Sequence, residues 1–371
     1  MAQKRETAGA NEVLRRIRPE LLNFGGYSAA TSPETLEGKT AVPVESITKL
    51  DANENPYGCS PRVGRALADY ASFHVYPDDG QEKLRRLLAD YTGVGVPHIV
   101  AESGSNRLID LVLRLLLSPG DEVISCVPTF GIYSFSTELC GGTLVPVPRD
   151  EHFGVDVTAV KAAITDRTKV IVLANPNNPT GTATPEADIL EMVGTGVPVL
   201  IDEAYYEFFG QTVAPLVSRH ENLMVLRTFS KWAGLAGLRV GYGLFPAAVA
   251  DYLLRIKMPY SVSVAALVAV EESLKDTDYL MGRVKAIVAE KERLFEQLGQ
   301  IEWLRPVPSV ANFILCRVLA GKAGDLHRRL LERGVLVRYF HQPPVDDCIR
   351  VSVGRPEDTD TLVRVLREIG G

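Results

Sequence analysis

Thr228-Phe229-Ser230-Lys231-Trp232-Ala233-Gly234-Leu235-Ala236-Gly237-Leu238-Arg239-Val240-Gly241 follows one apolar run, 223–226, and leads into another, 238–244. Two hydroxyls, a lysine and an arginine eight residues after it stand among small residues and three glycines. Glycine lets a ligand approach the backbone closely. Hydroxyls and a guanidinium suit a phosphate, and a lysine beside them suits a carbonyl carbon. An isolated lysine in a loop is normally a solvated surface charge. The stretch gains meaning only from what the rest of the chain sets beside it.

Around this loop the chain alternates helix and strand. A short amphipathic helix is expected through Glu12 to Ile17, then a Gly25-Gly26-Tyr27 turn and an arm of weak periodicity. Asp51-Ala52-Asn53-Glu54-Asn55-Pro56-Tyr57-Gly58 is a polar turn cluster that exposes a tyrosine between proline and glycine. Helices are expected over 61–70 and 81–91. Gly104-Ser105-Asn106 opens a third over 107–117, stopped by Ser118-Pro119-Gly120. Strands are expected over 122–127, 143–147, 169–173, 197–201, 223–226 and 238–244, with a helix over 157–164.

These strands are near-continuous Val/Ile/Leu runs, as in a sheet covered on both faces, and intervening helices imply mostly parallel pairing. Such a sheet puts its ligand crevice outside the carboxyl ends of the strands. Three polar clusters fall there: Asn175-Pro176-Asn177-Asn178-Pro179-Thr180-Gly181, Asp202-Glu203-Ala204-Tyr205-Tyr206, and Thr228 to Lys231. A helical run over 264–298 then changes the character of the chain. Strands over 311–317, 335–338 and 349–353 and helices over 323–333 and 358–369 follow it. The expected organisation is α/β: an N-terminal arm (1–50) joining the smaller domain or a dimer contact, a large domain (51–263) with a mostly parallel mixed sheet, and a small α/β domain (264–371).

The 371 residues suggest about two domains, and 46% hydrophobic with 23% charged residues is ordinary globular composition. A net charge of -6 without a basic run argues against nucleic acid as a partner. Apolar runs are too short to span a membrane. The start, Met1-Ala2-Gln3-Lys4-Arg5-Glu6, leads into no apolar h-region, so no secretory signal is expected and a cytoplasmic location is. Five scattered cysteines (Cys59, Cys126, Cys140, Cys316, Cys348) lack CxxC spacing and read as free thiols. The six histidines lack HxxxH spacing, so no metal site is expected. Gly194-Thr195-Gly196-Val197-Pro198 precedes a strand rather than following one, which disqualifies it as a dinucleotide loop.

The clusters at the strand ends describe a ligand with an aldehyde, a phosphate and a protonatable ring nitrogen. Lys231 would condense with the aldehyde as a Schiff base. Thr228, Ser230 and Arg239 would hold the phosphate, helped by the helix start at Ser105-Asn106, where free N–H groups and the dipole favour an anion. Asp202 would pair with the ring nitrogen and keep it protonated. Tyr205 and Asn178 would donate to a ring oxygen, and Phe130, in Pro128-Thr129-Phe130-Gly131-Ile132-Tyr133, would stack on the ring. These parts describe pyridoxal 5'-phosphate (PLP).

From about residue 11 onward the sequence resembles the histidinol-phosphate aminotransferases, class II PLP-dependent aminotransferases of fold type I. The resemblance is carried by Asp51-Ala52-Asn53-Glu54-Asn55-Pro56, Tyr76-Pro77-Asp78, Asn177-Asn178-Pro179-Thr180-Gly181, Asp202-Glu203-Ala204-Tyr205, Thr228-Phe229-Ser230-Lys231 and Arg350-Val351-Ser352-Val353-Gly354, in the family's order. It implies the fold-type I architecture and a ping-pong transfer of an amino group from L-histidinol phosphate to 2-oxoglutarate, as in histidine biosynthesis. Lys231, Asp202 and Tyr205 would be the catalytic set. The tyrosine matching Tyr57 would reach the PLP phosphate of a neighbouring subunit in a homodimer with shared sites. Tyr27, Asn53, Arg338 and Arg350 would line the substrate end, where a guanidinium reads carboxylate and phosphate alike.

Alternatives on the same scaffold are an aromatic amino-acid aminotransferase and a phosphothreonine-type decarboxylase. A non-catalytic PLP-binding regulator would need a DNA-binding module, for which the residues before the arm leave no room. Three departures from the family pattern bear on substrate rather than cofactor: Asn106-Arg107 where the family typically has Asp-Glu, Trp232 after the lysine, and Ser261 where asparagine is frequent.

Overall fold

Alternating residues of the central strands feed two different cores. Ile171, Leu173, Val199, Ile201 and Val225 join one buried cluster, while Val170, Val172, Leu200, Met224 and Leu226 join another. That alternation is the period-two signature of a strand buried on both faces. The computed structural model describes residues 12–22, 24–27, 35 and 42–370. The expected absence of a secretory segment at Met1 to Glu6 falls outside them, as does much of the 1–50 arm.

In chain order, β1 (Thr48–Leu50), α1 (Pro61–Asp69) and α2 (Glu82–Thr92) lead to β2 (Ile99–Glu102) and α3 (Ser105–Leu116). Then come β3 (Glu122–Val127), α4 (Ile132–Leu139), β4 (Thr143–Pro148), α5 (Val157–Ala162), β5 (Thr168–Ala174) and α6 (Glu186–Val193). After β6 (Val199–Asp202), α7 (Tyr206–Phe209), β7 (Leu223–Thr228) and β8 (Gly241–Leu244) complete one sheet. Its order is β2-β8-β7-β6-β5-β3-β4. All pairs from β7 to β4 are parallel, and only β8 runs antiparallel to its neighbours β7 and β2. α2 and α6 supply the first core and α3 and α8 (Ala247–Ile256) the second, so helices cover both faces.

Three helical and sheet units follow: α9 (Val264–Leu274), α10 (Thr277–Gly299) and a five-stranded sheet. The sheet is built from β9 (Leu304–Pro306), β10 (Phe313–Val318), β11 (Val335–Tyr339) and β12 (Cys348–Ser352), with α11 (Ala323–Glu332) and α12 (Pro356–Gly370) beside it. The order is β1-β11-β12-β10-β9, and the N-terminal strand β1 enters it parallel to β11. Residues 51–56 therefore leave the smaller sheet directly into the space above the larger one.

Several boundaries differ from the sequence reading. The expected helix over Glu12 to Ile17 is only a 3-10 turn, Leu14–Arg16. Val13, Leu14 and Ile17 are exposed, so a segment this short has no packing to offset the cost of helix nucleation. The run over 264–298 is two helices, parted at Lys275-Asp276, where Asp276 accepts from Ser60 Oγ. The strand expected from 238 starts only at Gly241, because Ala236–Leu238 is a 3-10 turn and Arg239 sits at φ +51°. That backbone turns the Arg239 guanidinium back toward Ser230 instead of along the sheet. α4, α6 and α8 carry no strong capping signal, and the sequence reading did not place them.

Candidate active site

The register of the large sheet fixes the site. Ala174 on β5 pairs with Asp202 on β6, and Asp202 pairs with Leu226 on β7. Three neighbouring strands thus end at one level, and their following loops face a cleft of about 430 Å3. That size is within the roughly 300–1,000 Å3 of small-molecule sites. Ser105, Asn106, Phe130, Asn178, Asp202, Tyr205, Thr228, Ser230, Lys231 and Arg239 all line it, with Tyr27, Asn53, Arg338 and Arg350 at the other end. Tyr57 is the exception. It lies outside the cleft, half-buried, with the guanidiniums of Arg283 and Arg355 5.0 and 5.5 Å from its ring.

The Thr228–Ser230 turn is self-organised. Thr228 Oγ1 donates to Ser230 Oγ at 2.9 Å and accepts from the Ser230 N–H at 3.1 Å. Arg239 Nη1 donates to Ser230 Oγ at 3.3 Å, bringing a cation to the two hydroxyls. The start of α3 closes in from the other side. Gly104, at φ +92°, caps α3 without a side chain, and a Cβ there would stand 2.5 Å from Arg239 Nη2. A Cβ on Gly241 would meet the Ser105 nitrogen at 2.5 Å. Gly241 is required by close approach to backbone and Gly104 by its positive φ, and the result is a cradle of N–H, hydroxyl and guanidinium donors suited to a phosphate.

Lys231 Nζ donates to the Ala52 carbonyl at 2.9 Å. Burial, then the charge of Arg350, pushes its amine down to about 8, toward the neutral form a nucleophile needs. Asp202 accepts from Tyr133 Oη at 2.9 Å and from the Ala204 N–H at 3.1 Å. Burial pushes its carboxyl up to about 6, with the Tyr133 hydrogen bond opposing that rise. Tyr205 Oη accepts from Asn53 Nδ2 at 2.9 Å and Asn178 Nδ2 at 3.4 Å, and burial raises the phenol to about 12. It stays a neutral hydrogen-bonding group.

At the far end, Arg350 is buried and donates through Nη1 to Asn178 Oδ1 and through Nη2 to the Asp51 carbonyl, both at 2.6 Å. Its Nε is buried without a partner among the described residues, the kind of orphan donor an incoming anion would satisfy. Asn53, at φ +54°, is clamped by Ser352 and Asn312 from the smaller sheet. Tyr27 stands edge-on to Phe130 with ring centroids 6.0 Å apart, so the N-terminal segment meets the wall of the cleft.

Tyr133 is the residue the sequence reading missed. It lies three residues after Phe130, in the first turn of α4, where an apolar neighbourhood makes it read as core. Of the departures from the family pattern, Asn106 lines the cleft at the start of α3, while Arg107, Ser261 and Trp232 stand outside it. Arg107 is ion-paired with Asp110 on its own helix face, and Ser261 Oγ donates to Glu102 Oε1 at 2.8 Å. Trp232 is fully buried and stacks on Tyr91, centroids 5.5 Å apart and planes 7° apart. Arg107, Ser261 and Trp232 thus have their partners away from the cleft. Among the described residues there is no cluster able to hold a metal ion and no helix long and apolar enough to cross a membrane.

Comparison with known proteins agrees with this geometry. The model of the family "Aminotransferase class I and II" matches residues 45–366. A histidinol-phosphate aminotransferase of Dehalococcoides mccartyi is 53% identical over 95% of this chain and 98% of that protein. The chloroplastic enzyme of that name from Nicotiana tabacum is 42% identical over 95% of this chain and 86% of its own length. The crystal structure of histidinol-phosphate aminotransferase from Sinorhizobium meliloti in complex with pyridoxal-5'-phosphate superposes with a TM-score of 0.86 at 26% identity, covering 95% of this chain and 98% of that one. The chain belongs to the class I and II aminotransferases and, within them, to the histidinol-phosphate aminotransferase family.

Proposed function

We propose that this aminotransferase binds PLP in the cleft and moves the amino group of L-histidinol phosphate to 2-oxoglutarate. The observation that carries the reading is convergence: a lysine amine, a buried carboxylate and a phosphate cradle face one space from three adjacent strand ends. PLP, when bound, supplies an electron sink that weakens the bonds at the amino-bearing carbon of the substrate. Ser105, Asn106, Thr228, Ser230 and Arg239 would hold its phosphate, and Phe130 would pack on the ring. Asp202 would hold a proton at the ring nitrogen. Asn178 and Tyr205 orient the ring oxygen. Lys231 Nζ would anchor the cofactor and move the proton at the amino-bearing carbon of the substrate.

Arg350 and Arg338, with Tyr27 and Asn53, bind the anionic end of each substrate. The amino acceptor carries carboxylates and the amino donor a phosphate, and a guanidinium serves both. We further assign the chain to a homodimer, in which Tyr57 reaches the phosphate cradle of a second copy. Its place outside the cleft of its own subunit supports this, as does the exposed, stacked pair Tyr76–Tyr260 beside exposed Met258 and Ile256. The division into an arm (1–50), a large domain (51–263) and a small domain (264–371) belongs to the same reading. So does a cytoplasmic location, supported by five unpaired cysteines.

Replacing Lys231 tests the core of it. Borohydride reduction of the PLP-loaded protein should fix the cofactor to the peptide containing Lys231. Lys231→Ala should abolish that adduct and cost more than about 10^4-fold in turnover with histidinol phosphate and 2-oxoglutarate. A Lys231→Ala protein with undiminished transaminase activity overturns the assignment. In single-turnover assays an aromatic amino acid that outpaces histidinol phosphate would replace the substrate.

A further inference from the structure

Tyr133 has no task in the reading above, yet it touches two walls of the cleft. It is fully buried on the first turn of α4, and its hydroxyl donates to Asp202 Oδ2 at 2.9 Å. Its ring stands edge-on to Phe130, with centroids 5.8 Å apart and planes 89° apart. The segment is fixed from both sides: the Tyr133 N–H donates to the Phe130 carbonyl at 3.2 Å, and Thr137 Oγ1 donates to the Tyr133 carbonyl at 2.7 Å. The hydroxyl has little freedom to point elsewhere. A hydrogen bond to a buried acceptor is strongest when that acceptor is ionised.

We propose that Tyr133 is a positioning residue that keeps the Asp202 carboxylate ionised and aimed at the cofactor's ring nitrogen, so that the proton of that pair stays on the ring. This rests on the PLP reading given above. Removing the hydroxyl would leave Asp202 with the Ala204 N–H as its one remaining hydrogen-bond donor among the described residues. Burial then favours the neutral acid more strongly. The other titratable groups around Asp202 are Lys231, from the loop after β7, and Glu203 and Tyr205, from its own segment. Lys231 donates to the Ala52 carbonyl instead, and Glu203 opposes the ionisation of Asp202. Among the described residues, Tyr133 is therefore the one side chain that donates a hydrogen bond to the carboxylate and so stabilises its charge.

The test uses the full chain with and without PLP. Tyr133→Phe keeps the ring and its contact with Phe130 while deleting the hydroxyl. In the cofactor-free protein, the infrared carbonyl band of protonated Asp202, assigned with Asp202→Asn, should titrate at least one pH unit higher in Tyr133→Phe than in the parent. With ring-15N-labelled PLP, the nitrogen resonance should move toward the neutral-pyridine position at the same pH. Turnover should fall roughly 10- to 100-fold with KM within about twofold. Fluorotyrosine placed at position 133 keeps the shape and makes the phenol a stronger donor, so it should shift the Asp202 titration the opposite way. Unchanged carboxyl titration and unchanged 15N shift in both variants overturn the role of Tyr133 alone. Failure of parent and variants alike to capture PLP overturns the cofactor reading, and this inference with it.

Discussion

Asp202 and Glu203 are neighbours at the end of β6, both buried, and they look to opposite sides of the sheet. On the far side Glu203 is fully answered by protein. Its Oε2 accepts from Arg227 Nε at 3.0 Å, its oxygens accept from Thr212 Oγ1 at 2.9 and 2.7 Å, and Oε1 accepts from the Val213 N–H at 2.9 Å. Arg227 is itself covered by the ring of Tyr206, 3.6 Å away. On the cleft side Asp202 has a phenol and one N–H, and among the described residues no cation reaches it with a hydrogen bond. A buried carboxylate with a complete partner set holds a fold together. One left without a countercharge and pushed up to about 6 marks a place where a cation from outside is expected.

The comparison breaks most visibly on a pair of isosteric substitutions. Asp202→Asn removes the charge proposed to hold the ring proton, so turnover should fall about 10^3-fold, the scale of losing one preorganised electrostatic partner. The folded protein should persist. Glu203→Gln strips Arg227 of its buried counterion, so urea unfolding should show a loss of about 3–5 kcal/mol. The turnover of whatever remains folded should stay within a few-fold. Interchanged outcomes, with stability lost at Asp202 and turnover lost at Glu203, would show that the two sides of the strand have been assigned the wrong way round.

A smaller effect follows from the sign of the Asp202 shift. Its folded value, about 6, lies above the ordinary 3.8 of the unfolded chain. Between those values the native state binds the extra proton. The contribution of Asp202 to stability is therefore fully present below about pH 4 and is lost as pH rises through 6, an amount of roughly 3 kcal/mol. Unfolding of the cofactor-free protein followed from pH 4 to pH 7 should show this decline, and Asp202→Asn should lack it. Bound PLP should shrink it, because a cation at the carboxylate restores the ionised form. A decline of equal size in Asp202→Asn would assign it to another group.

The elements that carry the chemistry were legible because they are local. Near-continuous Val/Ile/Leu runs ending in Asn178, Asp202 and Thr228 announce strand ends. Gly104 supplies the positive φ that opens α3, and Gly241 sits where a Cβ would strike the backbone at Ser105. What was hidden depends on contacts far apart in sequence. Arg239 interrupts an apolar run that reads as strand, and its left-handed backbone goes with a guanidinium turned back to Ser230 Oγ and the Ala236 carbonyl. Asp276 parts two helices because Ser60, more than two hundred residues earlier, lies opposite it. Tyr133 reads as core, which it is, and nothing in its own neighbourhood signals that Asp202 sits across the sheet from it.

The alternation seen at Asp202 and Glu203 recurs twice on the adjoining strand and loop. Thr228 faces the cleft while Arg227 joins Glu203 behind it, and Lys231 faces the cleft while Trp232 packs behind it on Tyr91 and Phe229. A period of two at the strand end, followed by a turn that brings both Ser230 and Lys231 to the cleft, sends chemistry to one face and structure to the other. Trp232 gives the mildest test of that rule. Its Nε1 has no partner among the described residues, so Trp232→Phe leaves no hydrogen bond of that atom unmade. Its carbonyl, which accepts from Asn55 Nδ2 at 2.8 Å, is kept. The substitution should cost about 1–2 kcal/mol of stability through lost packing. It should leave turnover within about twofold, since a residue on the structural side touches no reacting atom. A change in kcat with no change in stability would place Trp232 on the chemical side, next to Lys231 in role as well as in sequence.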